Sequence, residues 1–328
     1  MKSIILKGAR KLYRTIVQPE FPRWGWPKEG ERESTNDLLF NLLSSDKPCF
    51  IGRMGTVEGA IVLNKMTLTK PWSLQRIKGC INYITDETRM PWWDCGLPFE
   101  QLQKNAGFFT SNGNVSTNDA ERFANLYLHY IPLMDVLGRF SYNNKFFPFS
   151  PECKHVQLES LYPFFVQDPW MKALEHKNVL VIHPFKKTIE RQYERRHLLF
   201  NNPNCLPQFN LIVLKAVQSA AGEKPPFKDW FEALEYMKSE ISKINFDIAI
   251  LGCGAYGLPL AGYIKEELNK KAIHIGGGTQ LLFGIKGQRW IRDYDQSCYR
   301  DMFNEYWVFP DETERPKNAK CIEGACYW

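Results

Sequence analysis

Three glycines in the spacing G-x-G-x-x-G give the clearest chemical signal in the chain. Gly252, Gly254 and Gly257 follow an apolar run and precede a helix-like stretch that extends to Leu268. Such glycines let the backbone turn tightly against a phosphate, and the helix start offers free N–H groups to the anion. The spacing predicts a phosphate-binding turn, in which Tyr256 is a further contact. The alternative is a plain strand-to-helix turn.

The strand after this turn decides which phosphate ligand is expected. Dinucleotide sites place Asp or Glu about 20 residues on, at the end of the second strand, to hold the ribose. Here that strand reads Ala272 to Ile275 and contains no acid, while Glu266 and Glu267 fall within the helix. We therefore expect no NAD. A different nucleotide-dependent oxidoreductase or a methyltransferase stays an alternative.

A second glycine turn follows the same strand. Gly276, Gly277 and Gly278 lead into Thr279 and Gln280. The two polar side chains offer neutral hydrogen bonds that suit hydroxyls or phosphate oxygens. Three glycines at the end of a strand favour a second close approach of backbone to a ligand.

A cation and a carboxylate flank another strand-to-helix turn, Arg53-Met-Gly-Thr-Val-Glu58. Arg53 can bind phosphate through its planar fork, and Gly55 and Thr56 would lie beside the ligand. Glu58 can accept a hydroxyl hydrogen bond, hold a metal or act as a base. The alternative is an Arg53–Glu58 ion pair that only steadies the turn.

His183 ends an apolar run, and Lys186 and Lys187 then open a charged helix. Cations at a helix start are unfavourable unless an anion lies there, which suggests a phosphate. His183 would contact the ligand or act as a general base, unless it is a hydrogen-bonded structural histidine. Pairing of the lysines with Glu190 and Glu194 on a solvated face is the alternative for this helix.

The elements that carry these residues alternate between strand and helix. The alternation predicts an α/β, Rossmann-like fold, a mostly parallel doubly wound sheet with helices on both faces. Ligands of such sheets bind beyond the carboxyl ends of the strands, so all four turns should meet at one edge. We also expect a helix through Leu38 to Leu43, capped by Ser34 or Thr35, and a strand at 107–111. One domain would span 31–310, between a basic helix with linker at 1–30 and a tail at 311–328.

Composition narrows the class of protein. The nine cysteines of the 328 residues are scattered without C-x-x-C spacing, which is typical of reduced thiols and indicates a cytoplasmic protein. The net charge of +6 suits an anionic substrate or membrane surface and gives no reason to expect nucleic acid. Residues 1–17 form a basic amphipathic pattern with Ile5, Leu12 and Ile16 on one face. This pattern predicts peripheral membrane contact, with a helix docked on its own domain as the alternative.

Residues 53–58 and the C-terminal glycine turns resemble the GT-D-type glycosyltransferases of bacterial surface-polysaccharide clusters. The family signature reads R-F-G-D-G-E, so Arg53, Gly55 and Glu58 match, while Thr56 and Val57 replace the aspartate and the second glycine. The resemblance implies a UDP-linked nucleotide-sugar donor and a polysaccharide or lipid-linked acceptor. It also implies Mn²⁺ or Mg²⁺ near the carboxylates, for which Glu58 alone remains here.

These observations predict a glycosyltransferase at the inner face of the membrane; a non-catalytic sugar-nucleotide-binding protein is a further alternative. No Ser-His-Asp order, H-E-x-x-H motif or Walker A loop is present. Trp92 and Trp93 would stack on the acceptor sugar, unless they are packing residues. Glu58 and His183 are the catalytic candidates. The predicted donor-binding residues are Arg53, Gly55, Thr56, Lys186, Lys187, Gly252, Gly254, Tyr256, Gly257, Gly276, Gly277, Gly278, Thr279 and Gln280.

Overall fold

A single seven-stranded parallel sheet forms the centre of the protein, in a computed structural model that describes residues 3–18, 27–28, 30–68, 74–87, 99–293, 297–321 and 324–328. The strand order is β3-β2-β1-β7-β6-β4-β5, and every neighbouring pair is parallel. The strands are β1 Phe50–Gly52, β2 Val136–Arg139, β3 Lys154–Gln157, β4 Asn178–His183, β5 Asn210–Lys215, β6 Ile248–Leu251 and β7 Lys271–His274. The predicted α/β, Rossmann-like fold is confirmed.

Four of the six connections between consecutive strands contain α-helices, which is the usual crossover of parallel pairs, whereas β2–β3 and β3–β4 contain only short 3₁₀ turns. The α-helices of the described residues are α1 Ser3–Val17, α2 Glu31–Ser44, α3 Thr56–Leu68, α4 Leu74–Ile84, α5 Phe99–Ala106, α6 Thr117–Tyr130, α7 Lys186–Glu194, α8 Trp230–Ser242, α9 Gly257–Glu266, α10 Gly278–Leu281 and α11 Ser297–Asp301. None of them is long and apolar enough to cross a bilayer.

Two hydrophobic cores lie on opposite faces of the sheet, because successive strand residues point to opposite sides. In β4, Leu180 belongs to the same cluster as Phe50, whereas Val181 belongs to the cluster of Ile51. Both clusters consist of side chains that are almost fully buried. Strands buried on both faces explain the continuous apolar runs of the sequence.

The helices after neighbouring strands leave toward different faces. Helices α3 and α9, which follow β1 and β6, place Ile61 and Leu260 in the core that contains Phe50. Helices α7 and α10, which follow β4 and β7, place Ile189 and Leu281 in the other core. Chains that diverge in this way open a crevice at the carboxyl ends of their strands, where doubly wound proteins bind ligands.

Two local expectations are wrong. Helix α2 begins at Glu31 after Gly30, whose φ of 74° is left-handed, so Thr35 lies buried inside the helix and is not its cap. The segment at 107–111 forms no strand; Gly107, at φ 76°, starts a loop that packs on the backbone of Ala220. The sequence pattern also does not predict strand β2, which the structure contains.

Candidate functional site

A cavity of about 380 Å³ opens at the carboxyl edge of the sheet. We call it the carboxyl-edge cavity. It is lined by residues at or just beyond the ends of four neighbouring strands: Arg53 after β1, His183 of β4, Gly252 after β6 and Gly276 two residues after β7. Its volume lies in the range of small-molecule sites. The turns that the sequence singles out therefore do meet, as the parallel topology requires.

Arg53 presents a cation to this cavity and forms no ion pair with a described residue. Its Nε is buried and makes no hydrogen bond within the described residues, and its guanidinium lies 5.2 Å from the ring centre of Phe140. The other side of the guanidinium rests on Gly276, where a Cβ would lie 2.5 Å from Nε. Its φ of 57° is also left-handed, so both the backbone conformation and the lack of space beside Arg53 require a glycine at position 276.

Glu58 presents a carboxylate to the same cavity from the first turn of α3, where a negative charge is favourable to the helix dipole. The side chain is buried and folds back over Gly55, at which a Cβ would lie 2.0 Å from Oε2. Both Arg53 and Glu58 are described, and no ion pair joins them. The steadying ion pair considered from sequence is therefore wrong, and both charges are free to contact a ligand.

His183 enters the cavity as a neutral ring. Its Nδ1 accepts a hydrogen bond from the Phe185 backbone N–H at 3.0 Å, so the proton of the neutral ring resides on Nε2. Burial lowers the pKa of His183 to about 3. A histidine in this state donates a hydrogen bond from Nε2 to a ligand and has no free lone pair to act as a base.

The glycines of the G-x-G-x-x-G turn serve different purposes. Gly254 lines the cavity with a φ of 59°, where a side chain would be strained. Gly252 leaves room for its neighbours, since a Cβ would come 2.5 Å from the ring of His183. Gly257 lies against His274, whose Cε1 would be 2.1 Å from a Cβ. Packing against two buried histidines thus accounts for two of the three glycines.

His274 is buried behind the cavity at the end of β7. Its Nδ1 donates to the Leu251 carbonyl at 3.3 Å, since a carbonyl can only accept. Burial, with a smaller contribution from the nearby charge of Arg53, lowers the pKa of His274 to about 3. His274 is thus a neutral structural residue whose hydrogen bond joins the ends of β6 and β7 next to the cavity.

Tyr256 lines the cavity, but its hydroxyl is committed to the protein. Ser219 donates to the Gly107 carbonyl at 2.6 Å, so the Tyr256 hydroxyl donates to Ser219 at 3.1 Å. The ring stacks on Trp230, with the two planes 9° apart. Burial raises the pKa of Tyr256, which keeps the phenol neutral. Its role is to fix the Ser219 loop as one cavity wall.

The second glycine turn reaches the cavity only in part. Gly276, Gly277 and Gln280 line it. Thr279 lies outside the lining, and its hydroxyl donates a hydrogen bond to the Leu251 carbonyl at 3.1 Å. Gly278 also lies outside the lining and packs against the ring of Tyr162. The Gln280 amide donates to the backbone carbonyls of 285, 286 and 327, so its donors hold loops together.

Lys186 and Lys187 do not line the cavity. Lys186 pairs with Glu190 at 3.7 Å, and Lys187 Nζ donates to Thr313 Oγ1 at 3.2 Å. The anion expected at the start of α7 is supplied by Glu314, a buried carboxylate that accepts from the backbone N–H of Lys187 at 2.7 Å and of residue 188 at 3.1 Å. The helix start is therefore already capped by the protein.

Several lining residues had no signal in the sequence. Gln218, Ser219 and Tyr327 come from loops without a motif, Asn105 comes from the last turn of α5, and Trp328 reaches the cavity from the C-terminal segment. Trp328 is buried, and its Nε1 has no hydrogen-bond partner among the described residues. The segment predicted as a tail thus forms part of the cavity wall. Trp92 and Trp93 lie outside the described residues.

The donor set fits a protein-held divalent metal poorly. Among the described residues that line the cavity, Glu58 is the sole acid, and Thr56 stands where the resemblance requires an aspartate. No group of three or more His, Cys, Asp or Glu side chains in the described structure is arranged to hold a metal ion. Mn²⁺ or Mg²⁺ would need most of its ligands from a substrate.

Fold and cavity together define a Rossmann-like α/β protein with a cavity at the carboxyl edge of its sheet. No protein-family model matches the chain, and neither curated proteins nor solved structures provide a match.

Proposed function

We propose that the protein is a glycosyltransferase that uses a nucleotide-sugar donor, with the carboxyl-edge cavity as its active site. The observation that carries the proposal is that one cavity contains a cation, Arg53, and a carboxylate, Glu58, neither of which forms an ion pair with a described residue. A diphosphate needs positive charge, and a sugar hydroxyl needs an acceptor. The match of Arg53, Gly55 and Glu58 to the GT-D signature supports the same assignment.

In this reaction the anomeric carbon of the sugar exchanges one oxygen for another. Its bond to the diphosphate oxygen breaks, and a bond to the acceptor hydroxyl oxygen forms. Glu58 accepts the hydroxyl proton, and the nucleoside diphosphate departs with the bonding electron pair. Arg53 stabilises the charge that develops on the diphosphate, in a cavity where such a contact is stronger than in water.

The state of His183 favours a division of roles between the two catalytic candidates. Because His183 is neutral with Nδ1 already occupied, it donates from Nε2 to a sugar or phosphate oxygen. Glu58 has no hydrogen-bond donor from the described protein and is the better base. The backbone at Gly254 and Gly277 lies beside the same space and can approach the phosphates closely.

The reaction needs no metal held by the protein in this proposal. Arg53 and the amide groups of the glycine turns take over part of the charge stabilisation that a divalent ion supplies in related chemistry. A UDP-linked donor, a surface-polysaccharide or lipid-linked acceptor, and stacking by Trp92 and Trp93 belong to the proposal through the resemblance alone.

Turnover tests the proposal. UDP-, GDP-, dTDP- and CMP-sugars are incubated with glycan and lipid-linked acceptors, and released nucleotide is measured. We expect release from one donor class, its persistence in EDTA, and its loss in Glu58→Gln. Absence of release across the panel would refute the enzyme, and activity that EDTA abolishes and Mn²⁺ restores would refute metal independence. Reaction of NAD or S-adenosylmethionine instead would favour the alternative nucleotide enzymes.

A further inference from the structure

The helix pair α1 and α4 exposes an unusual share of the apolar side chains of the protein. Eleven large hydrophobic side chains are exposed in the described structure, and eight of them lie on these two helices. We call this region the α1–α4 surface; it consists of Ile4, Ile5, Leu12, Ile16, Val17, Leu74, Ile77 and Ile81. An apolar group of this kind on one helix pair marks an interaction site.

Helix α1 is attached to the rest of the protein through two of its arginines. Arg10 Nε and Arg14 Nε both donate to the carboxylate of Asp86 at 2.7 Å, and Arg10 also lies 4.4 Å from the ring centre of Tyr83. Hydrogen bonds from Arg14 and Arg10 hold the pKa of Asp86 below its ordinary value. The helix is thus anchored by ion pairs, with Leu6 buried beside them.

This anchoring leaves the apolar stripe of α1 facing outward. Ile5, Leu12 and Ile16 lie at helical spacing on one stripe and are between 58% and 72% exposed. Leu74, Ile77 and Ile81 form a similar exposed stripe on α4. A helix that served only its own domain would bury this stripe, and no described residue of the chain covers it.

The charges around the stripes identify the covering surface. The two helices contain six basic residues and no acidic one. Their combined charge of +6 equals the net charge of the whole chain. Lys7, Lys11 and Lys78 form no ion pair within the described residues. Exposed aliphatic side chains bordered by free lysines are typical of helices that lie in the headgroup region of a membrane.

We propose that the α1–α4 surface docks on an anionic lipid bilayer, with its aliphatic stripes among the acyl chains and its lysines at the headgroups. A second copy of the chain fits less well, because two such basic surfaces would repel each other. A protein partner is also disfavoured, since hot spots of protein interfaces favour Trp, Tyr and Arg over Leu. The proposal does not depend on the reaction in the carboxyl-edge cavity.

Vesicle co-sedimentation of the full chain tests this proposal. We expect binding to phosphatidylcholine vesicles that contain phosphatidylglycerol, and weak binding to phosphatidylcholine alone. Leu12→Glu should weaken binding at least roughly tenfold, because the exposed leucine that would insert among the acyl chains is lost. The matched control Tyr236→Glu places the same charge at an exposed aromatic residue on α8 and should bind like wild type.

Replacement of the lysines is a second, independent test of vesicle binding. Each should contribute roughly fivefold to binding, so Lys7→Gln with Lys11→Gln should lower affinity for anionic vesicles about 25-fold. Thermal unfolding confirms that each variant is folded. The proposal is overturned if the wild-type protein does not co-sediment with anionic vesicles, or if Leu12→Glu binds them as tightly as wild type does. It is also overturned if wild type is a stable dimer that Leu12→Glu separates, because the surface would then join two copies.

Discussion

Replacing Arg53 with methionine separates ligand binding from folding. The Arg53 Nε is buried without a hydrogen-bond partner in the described structure, and no ion pair holds the guanidinium. Methionine keeps an apolar stem against Phe140 and removes the charge. We therefore expect Arg53→Met to leave the free energy of unfolding within about 1 kcal/mol of wild type, or to raise it, because an unpaired half-buried cation is costly.

Ligand affinity should respond in the opposite way. A hydrogen bond to a charged group contributes about 1.5–3 kcal/mol, so loss of the Arg53–phosphate contact should weaken nucleoside diphosphate binding roughly 10- to 150-fold. Titration calorimetry measures the affinity, and urea unfolding measures the stability. Lys186→Met is the matched control, since Lys186 carries the same charge at the same sheet edge but pairs with Glu190 outside the cavity.

Two results would refute this reasoning. Arg53→Met could bind the nucleoside diphosphate as tightly as wild type, which would remove Arg53 from the donor site. Alternatively, the variant could lose more than about 3 kcal/mol of stability, which would show that the guanidinium holds the fold through contacts of the kind that buried ion pairs make. A loss of affinity in Lys186→Met equal to that in Arg53→Met would show a general charge effect.

Three further predictions concern single carboxylates and one histidine. Glu58→Gln should lower turnover at least roughly 100-fold while donor affinity measured by calorimetry changes little; unchanged turnover excludes Glu58 as the base. Because the pKa of His183 is lowered from 6.5 to about 3, stability is complete above pH 6.5 and falls as the pH drops toward 3. In urea unfolding, His183→Asn should reduce that slope by about 1.4 kcal/mol per pH unit, and an equal slope contradicts the assignment. Glu314→Gln should cost about 2 kcal/mol by weakening the α7 cap, with faster hydrogen exchange at 311–321; no change means that the cap is dispensable.

The sheet could be predicted from sequence because its strands are buried on both faces. Runs such as Ile248 to Leu251 contain only apolar residues, and glycine turns mark their ends. Strand β2 gave no such signal, since Val136 to Arg139 is short and contains a glycine and a charge. The missed α2 start has a similar cause, because Gly30 begins the helix by its left-handed backbone without a polar capping side chain.

The site could be predicted as far as single turns and no further. Arg53, Glu58, His183 and Gly254 meet because strand ends of a parallel sheet share an edge. Which polar groups are already satisfied depends on contacts between distant residues. Glu314 meets α7 across more than 120 residues, and the occupation of the Thr279 hydroxyl by a β6 carbonyl is likewise set by tertiary packing.

Structure also changes the choice of variant at the G-x-G-x-x-G turn. From sequence, Gly254→Val is an attractive way to block donor binding with little effect on folding. The φ of 59° at Gly254 makes a β-branched residue there a backbone outlier, so this variant would perturb folding and binding together. Arg53→Met separates the effect on binding from the effect on folding, because it alters a side chain and leaves the backbone of the turn unchanged.

A thermal-shift screen tests the central claim most directly, since a ligand that binds only the folded state raises the apparent stability. Wild type and Arg53→Met are compared with UDP-, GDP-, CMP- and dTDP-sugars, NAD and S-adenosylmethionine. We predict that at least one nucleotide sugar raises the melting temperature of wild type and has a much smaller effect on Arg53→Met, whereas NAD and S-adenosylmethionine have none. Stabilisation by NAD or S-adenosylmethionine, with no response to any nucleotide sugar, would contradict the glycosyltransferase proposal.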